Sequence, residues 1–148
     1  MNWNIYLSGE IHTDWRERIQ ENANQANLDI TFMTPVTDHE ASDNIGESIL
    51  GKEESSIWRD HKSARINAIR NQKAIQDADL VVVRFGEKYK QWNAAFDAGY
   101  ATALGIPIVT LHDGILTHPL KEIDAASQAT AETPEQIVEL FKYLLTQQ

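Results

Sequence analysis

Residues Leu80-Val81-Val82-Val83-Arg84-Phe85 form an almost unbroken apolar, β-branched run that stops at Gly86. A strand apolar toward both sides must be covered on both faces, which is the position of a central strand in a parallel sheet. Downstream, the Ala-rich stretch from Asn93 to Leu104 reads as a helix, with Gly105 as its C-terminal cap. Ile106-Pro107-Ile108-Val109-Thr110-Leu111 then reads as the next strand, ending in His112-Asp113. This β-α-β unit dictates an α/β fold: a parallel sheet, right-handed crossovers and helices on both faces.

The rest of the chain fits that plan. Trp3 to Leu7 is a first strand closing at Ser8-Gly9, and Ile30 to Met33 a second. Between them Thr13 can cap a helix through about Asn27, with Trp15, Ile19, Ala23 and Ala26 on one apolar face. Thr34-Pro35 opens a polar stretch to about Ser55 that reads as an unusually long loop. From Ser56 to Gln76, residues Ile57, Trp58, Ala64, Ile66, Ile69 and Ile75 recur at helical intervals, predicting one long or broken helix. Ala125 to Ala131 is a weak edge strand. Thr133-Pro134-Glu135-Gln136 supplies a cap, an N1 proline and a Gln at N3 for a last helix to about Leu145. With 148 residues and neither repeat nor linker, a single domain over 1–148 is expected.

Composition removes several functions. A net charge of −9 without a basic stripe argues against nucleic acid as a partner. The absence of cysteine excludes disulfides, thiolate zinc sites and Cys nucleophiles. Met1-Asn2-Trp3-Asn4 lacks the basic-then-apolar pattern of a secretion signal, and Leu80 to Val83 is too short to span a bilayer. A cytoplasmic address and no membrane association are expected.

Three stretches carry a family resemblance: Ile5 to Gly9, Ile75 to Val83, and Phe96-Asp97-Ala98-Gly99-Tyr100-Ala101 running on to Pro107. In order and spacing they resemble the nucleoside 2-deoxyribosyltransferases, and the whole chain looks like their short YtoQ-type branch. The resemblance implies a flavodoxin-like three-layer sandwich, with a five-stranded parallel sheet in the order 2-1-3-4-5 and ligands at the strand C-termini. It implies no cofactor, a small nucleoside or nucleotide as partner, and a homo-oligomer in which a neighbour's C-terminus completes the pocket. Leu144-Leu145-Thr146-Gln147-Gln148 shows no recognisable motif of that kind.

Such enzymes transfer deoxyribose by double displacement through a covalent glycosyl intermediate on a carboxylate, much as a retaining glycosidase does. The position of the family's nucleophilic Glu is Asp97 here, early in a helix whose positive end favours the ionised form. Tyr6 matches the tyrosine that hydrogen-bonds that carboxylate. Two family acids are replaced by the amides Asn71 and Gln91, which can hold a sugar or leaving group but cannot deliver a proton at neutral pH.

Further site residues come from the strand ends. Ser8 and Gly9 permit a sharp turn and close approach of a ligand, a plain structural turn being the alternative. Glu10, His12 and Trp15 offer an acid, an imidazole and a ring, unless they are surface polars and core packing. Gly86 and Asn93 flank the third strand and are assigned to binding with Gln91. Asp38-His39-Glu40, with Asp43 beyond, suits acid–base work or a divalent ion, a solvated turn being the ordinary reading; Asp38 and His39 are acid/base candidates and no metal is assigned. His112-Asp113, Arg84, Glu87 and Trp92 rank lower. Two functions follow: an N-glycosidic transferase or hydrolase using Asp97, or a nucleoside-binding module that kept the pocket and lost the chemistry. An interaction protein without a small ligand is the third.

Overall fold

The computed structural model describes residues 1–146, leaving Gln147 and Gln148 of the C-terminal segment outside the described residues. The strands are β1 (Trp3–Gly9), β2 (Ile30–Met33), β3 (Leu80–Arg84), β4 (Ile108–Leu111) and β5 (Ala129–Ala131). They form one parallel sheet in the order β2-β1-β3-β4-β5, the expected topology. The helices are α1 (Trp15–Gln25), α2 (His39–Leu50), α3 (Ser56–Gln76), α4 (Trp92–Ala103), α5 (Lys121–Ala126) and α6 (Pro134–Thr146), with a 3-10 turn at Gly114–Leu116.

Strand alternation divides the core in two. Ile5, Leu7, Leu80, Val82, Val109 and Leu111 point to one face and pack with Trp15 and Ile19 of α1 and Ile137 and Phe141 of α6. Tyr6, Val81, Val83 and Ile108 point to the other face, against Ile75 of α3 and Ala94, Ala98 and Ala101 of α4. Those three alanines recur at i, i+4 and i+7, and their small side chains let α4 lie close on the sheet.

Local chemistry sets the helix ends. At the end of α4, Gly105 takes φ +74°, the Gly105 N–H bonds to the Thr102 carbonyl and the Ile106 N–H to the Ala101 carbonyl, both at 3.0 Å. This is a Schellman cap on the predicted glycine. Asn27 plays the same part after α1 at φ 54°, with Leu28 bonded back to the Ala23 carbonyl at 3.1 Å. The capping box of α6 forms as expected, Thr133 Oγ1 accepting from the Gln136 N–H and Gln136 Oε1 from the Thr133 N–H, both at 3.3 Å, and Gln136 Oε1 also accepts the Glu132 N–H at 2.7 Å.

The long loop expected at 34–55 is wrong: residues 39–50 within it form α2. Asp38 caps that helix, Oδ1 accepting the Ala41 N–H at 2.9 Å. Gly46, a residue that disfavours a helix interior, is where α2 meets α3. A Cβ there would lie 2.5 Å from Lys62 Cβ and 2.6 Å from the Ser63 nitrogen. Ser63 Oγ locks the crossing, donating to the Asp43 carbonyl at 2.6 Å and accepting the Gly46 N–H at 3.0 Å. Two smaller corrections concern ends. Helix α1 starts after Asp14 rather than on a Thr13 cap, because the Thr13 hydroxyl bonds Glu10 instead. Strand β4 starts at Ile108, since Ile106 still belongs to the α4 cap. Among the described residues no helix is long and apolar enough to cross a membrane.

Candidate functional site

The strand order reverses on either side of β1, so the loops leaving β1 and β3 diverge and open a crevice at their carboxyl ends. A cavity of about 560 Å³ fills it, within the range of small-molecule sites. Gly9 and Ile11 form its floor, the α2–α3 hairpin one wall, and Asn93, Phe96 and Asp97 of α4 the other. Spacings of three and four residues bring the last three onto one helix face.

Asp97 is half-buried, and its Oδ2 accepts a hydrogen bond from Ser8 Oγ at 2.6 Å. Burial pushes its carboxyl above the ordinary value, partly offset by that hydroxyl. The balance is expected: a charge-assisted hydrogen bond contributes about 1.5–3 kcal/mol, whereas removing a carboxylate from water costs several kcal/mol. The helix start does not reverse it, contrary to expectation, because Asp97 is the sixth residue of α4 and the dipole's influence fades within the first turn.

Tyr6 is wholly buried and makes no hydrogen bond to Asp97, so its expected role passes to Ser8. Residues 6 and 8 share a face of β1, and the one nearer the carboxyl end reaches the acid. The Tyr6 hydroxyl has no protein partner; burial and the Asp97 charge raise its pKa, while Arg16 and Arg70 oppose them. It is held as a neutral phenol, able to donate.

On the α1 side of β1 the polar groups of the following turn engage one another, although Arg84 Nε of β3 is buried there without a protein partner. Glu10 Oε1 accepts the His12 and Thr13 N–H groups, the latter at 2.8 Å, and Oε2 accepts Thr13 Oγ1 at 2.6 Å. The carboxylate therefore shapes the turn into α1 and is no free proton donor for the cavity. Arg16, which the sequence did not single out, donates to three carbonyls: Leu7 at 3.1 Å, Gly9 at 3.0 Å and Glu10 at 2.6 Å. Burial pushes its guanidinium down to about 10, still cationic at neutral pH. Gly9 takes φ +114°, and a Cβ there would stand 2.1 Å from the Arg84 carbonyl oxygen. Only glycine fits that turn.

Of the other expected site residues, Asn71, Asn93 and His39 line the cavity, as does Asp43, whose Oδ2 lies 3.2 Å from His39 Nδ1. Asn71 Oδ1 is buried without a partner. Gly86 and Gln91 do not line it: the Gly86 N–H donates to Gln91 Oε1 at 3.0 Å, closing the loop before α4. Asp38 is committed to capping α2. His12 is exposed against Tyr89, ring centres 4.6 Å apart, and Trp15 is core. His112 is buried away from the cavity, Nε2 on Asp124 Oδ2 at 2.8 Å, tying β4 to α5. Among the described residues no three His, Asp or Glu side chains gather as a metal site.

Sequence reasoning missed Asp60 and Asn67 of α3 and Phe96 of α4 as lining residues. The α3 pair had a signal. Asp60, Ser63, Asn67 and Asn71 recur every three or four residues, a polar stripe on a helix whose other residues are partly apolar.

This geometry defines a flavodoxin-like α/β protein with a desolvated carboxylate at its switch-point cavity. The chain belongs to the nucleoside 2-deoxyribosyltransferase YtoQ family, whose model matches residues 6–145. It is 44% identical over 144 residues to the uncharacterized protein YtoQ of Bacillus subtilis, covering 97% of each chain. Among solved structures it is similar to a 2-deoxyribosyltransferase from Bacillus psychrosaccharolyticus, with TM-score 0.53, 19% identity and coverage of 91% and 90%. It is also similar to a CMP N-glycosidase from Clostridium botulinum, with TM-score 0.53, 11% identity and coverage of 96% and 99%. These two likenesses establish the shared fold.

Proposed function

We propose that this chain cleaves or transfers the N-glycosidic bond of a nucleoside or related N-riboside, with Asp97 as nucleophile. The observation that carries the reading is the Asp97 carboxylate itself: half-buried, raised in pKa, held by one hydroxyl, sharing its cavity wall with Asn93 and facing the wall that carries Asn71. Family membership supports it, as does a fold shared with proteins described as a 2-deoxyribosyltransferase and a CMP N-glycosidase.

Asp97 attacks the anomeric carbon, the C–N bond breaks with its electrons passing to the base, and a glycosyl ester forms. Water or a second base then opens the ester and regenerates the carboxylate. Ser8 orients Asp97, the Tyr6 phenol donates toward the same carboxylate region, and Asn71 and Asn93 hold sugar hydroxyls. His39, paired with Asp43, supplies the proton for a neutral leaving base. The chain acts as a single cytoplasmic domain, an address its lack of cysteine supports. It assembles with copies of itself, supported by the exposed Ile49, Leu50, Ile57, Trp58 and Ile69 on the α2–α3 hairpin.

A binding module without turnover is the second reading. It is favoured by the engagement of Glu10 and Asp38 and by His12 lying outside the cavity lining, which leaves His39 as the remaining proton donor of those the sequence suggested. Incubating wild type and Asp97→Ala with a panel of nucleosides and nucleotides separates the two. Base release by wild type alone supports the enzyme; binding in a calorimeter with no release supports the module.

A further inference from the structure

Resting on that reading, we infer that the preferred substrates are N-glycosides whose aglycone is a flat, positively charged aromatic ring, a pyridinium or an N-alkylated purine, rather than neutral nucleosides. The cavity lining contains three carboxylates, Asp43, Asp60 and Asp97, and neither Lys nor Arg. Asp43 faces His39 at 3.2 Å and Asp60 has Arg59 Nε at 3.7 Å, while Asp97 has only a hydroxyl. Most of the other lining side chains are polar too, Ser42, Asn67, Asn71, Gln72 and Asn93 among them, and Asn71 Oδ1 has no protein partner, so the pocket suits a polar ligand.

Two features select a cation within it. Phe96 lines the cavity next to Asp97, is 62% exposed, and lies nearly parallel to Tyr100, planes 5° and ring centres 6.4 Å apart, so its ring is accessible to a ligand. A cationic ring over that face gains a cation–π attraction that a neutral base lacks. The second feature is proton supply. Glu10 and Asp38 are engaged elsewhere and His12 does not line the cavity, leaving His39 on the far wall, on α2.

A cationic aglycone needs no proton to depart. As an Asp97 oxygen bonds to the anomeric carbon, the C–N electron pair returns to the ring nitrogen and cancels its charge, and the base leaves neutral. Water then adds its hydroxyl to the anomeric carbon, its proton passes to His39 or solvent, and the carboxylate is restored.

The test uses nicotinamide riboside, its uncharged 1,4-dihydro form as an isosteric binding control, and inosine, uridine and thymidine as neutral substrates. Binding of the cation is expected to be at least about tenfold tighter than that of the dihydro form. Rate enhancement over the uncatalysed reaction is expected to be highest for the cation. Phe96→Leu and Asp60→Asn should each lower the cation-to-neutral affinity ratio by about threefold or more. Equal affinity for the two forms, or greater rate enhancement for the neutral nucleosides, overturns this inference and leaves the Asp97 mechanism standing. No base released from any glycoside overturns the mechanism and this inference with it.

Discussion

The two flanks of the β1 carboxyl end are chemically alike and physically opposite. On the α1 side an acid, an arginine and three carbonyls satisfy one another completely: Glu10 takes the turn's N–H groups and Arg16 takes the carbonyls of Leu7, Gly9 and Glu10. On the α4 side an acid has one hydroxyl partner, while the Tyr6 phenol and Asn71 Oδ1 have none. Buried polar groups are nearly always paired in folded chains, so the closed set belongs to the fold and the open set is left for a ligand.

If that division is right, substitutions on the open flank remove activity and those on the closed flank remove stability. The largest effect is expected for Asp97→Ala: base release falls on the order of 10⁴-fold with an unchanged circular dichroism spectrum, and retained turnover would break the comparison. Next is Gly9→Ala, which combines φ +114° with a Cβ against the Arg84 carbonyl. A loss of about 3–5 kcal/mol in urea unfolding is expected. Arg16→Met strips donors from three carbonyls and should cost about 3 kcal/mol; a loss under about 1 kcal/mol would mean water replaces the guanidinium.

Two smaller effects sharpen the picture through pH. The Ser8 hydroxyl lowers the Asp97 pKa, so in Ser8→Ala the acid limb of the kcat/KM profile should move to higher pH. An unmoved limb would assign that limb to another group. Because the folded-state pKa of Asp97 is raised, the folded chain holds its proton more tightly than the unfolded chain. Stability therefore falls as pH climbs from the ordinary carboxyl value through the raised one. The melting temperature of wild type relative to Asp97→Asn should drop across that window. A gap that widens in favour of wild type would contradict a desolvated carboxylate.

How legible each part was in the sequence follows from what holds it together. The β3-α4-β4 unit carries its own signals, a β-branched run and a glycine cap, and its topology followed from them. Helix α2 has little apolar face of its own; it stands because Gly46 and Ser63 lock it onto α3, a tertiary contact that polar composition hides. Asp97 was legible from its motif, but its charge state was not, because desolvation depends on what covers the helix. The swap of Ser8 for Tyr6 depended on how far each side chain reaches from one strand face.

The sheet's two faces also differ in how freely they can diverge. The face under α1 and α6 is closed and apolar, and change there is felt as lost stability. The α2–α3 hairpin instead contributes its own wall, joined at a glycine crossing and turned toward the cavity with polar side chains. Cavity-facing positions of the hairpin that tie no helix to its neighbour, such as Asp60, can therefore be rewritten while the α1–α6 face is kept, so new aglycone preferences can arise by drift in a hairpin rather than by rebuilding a fold.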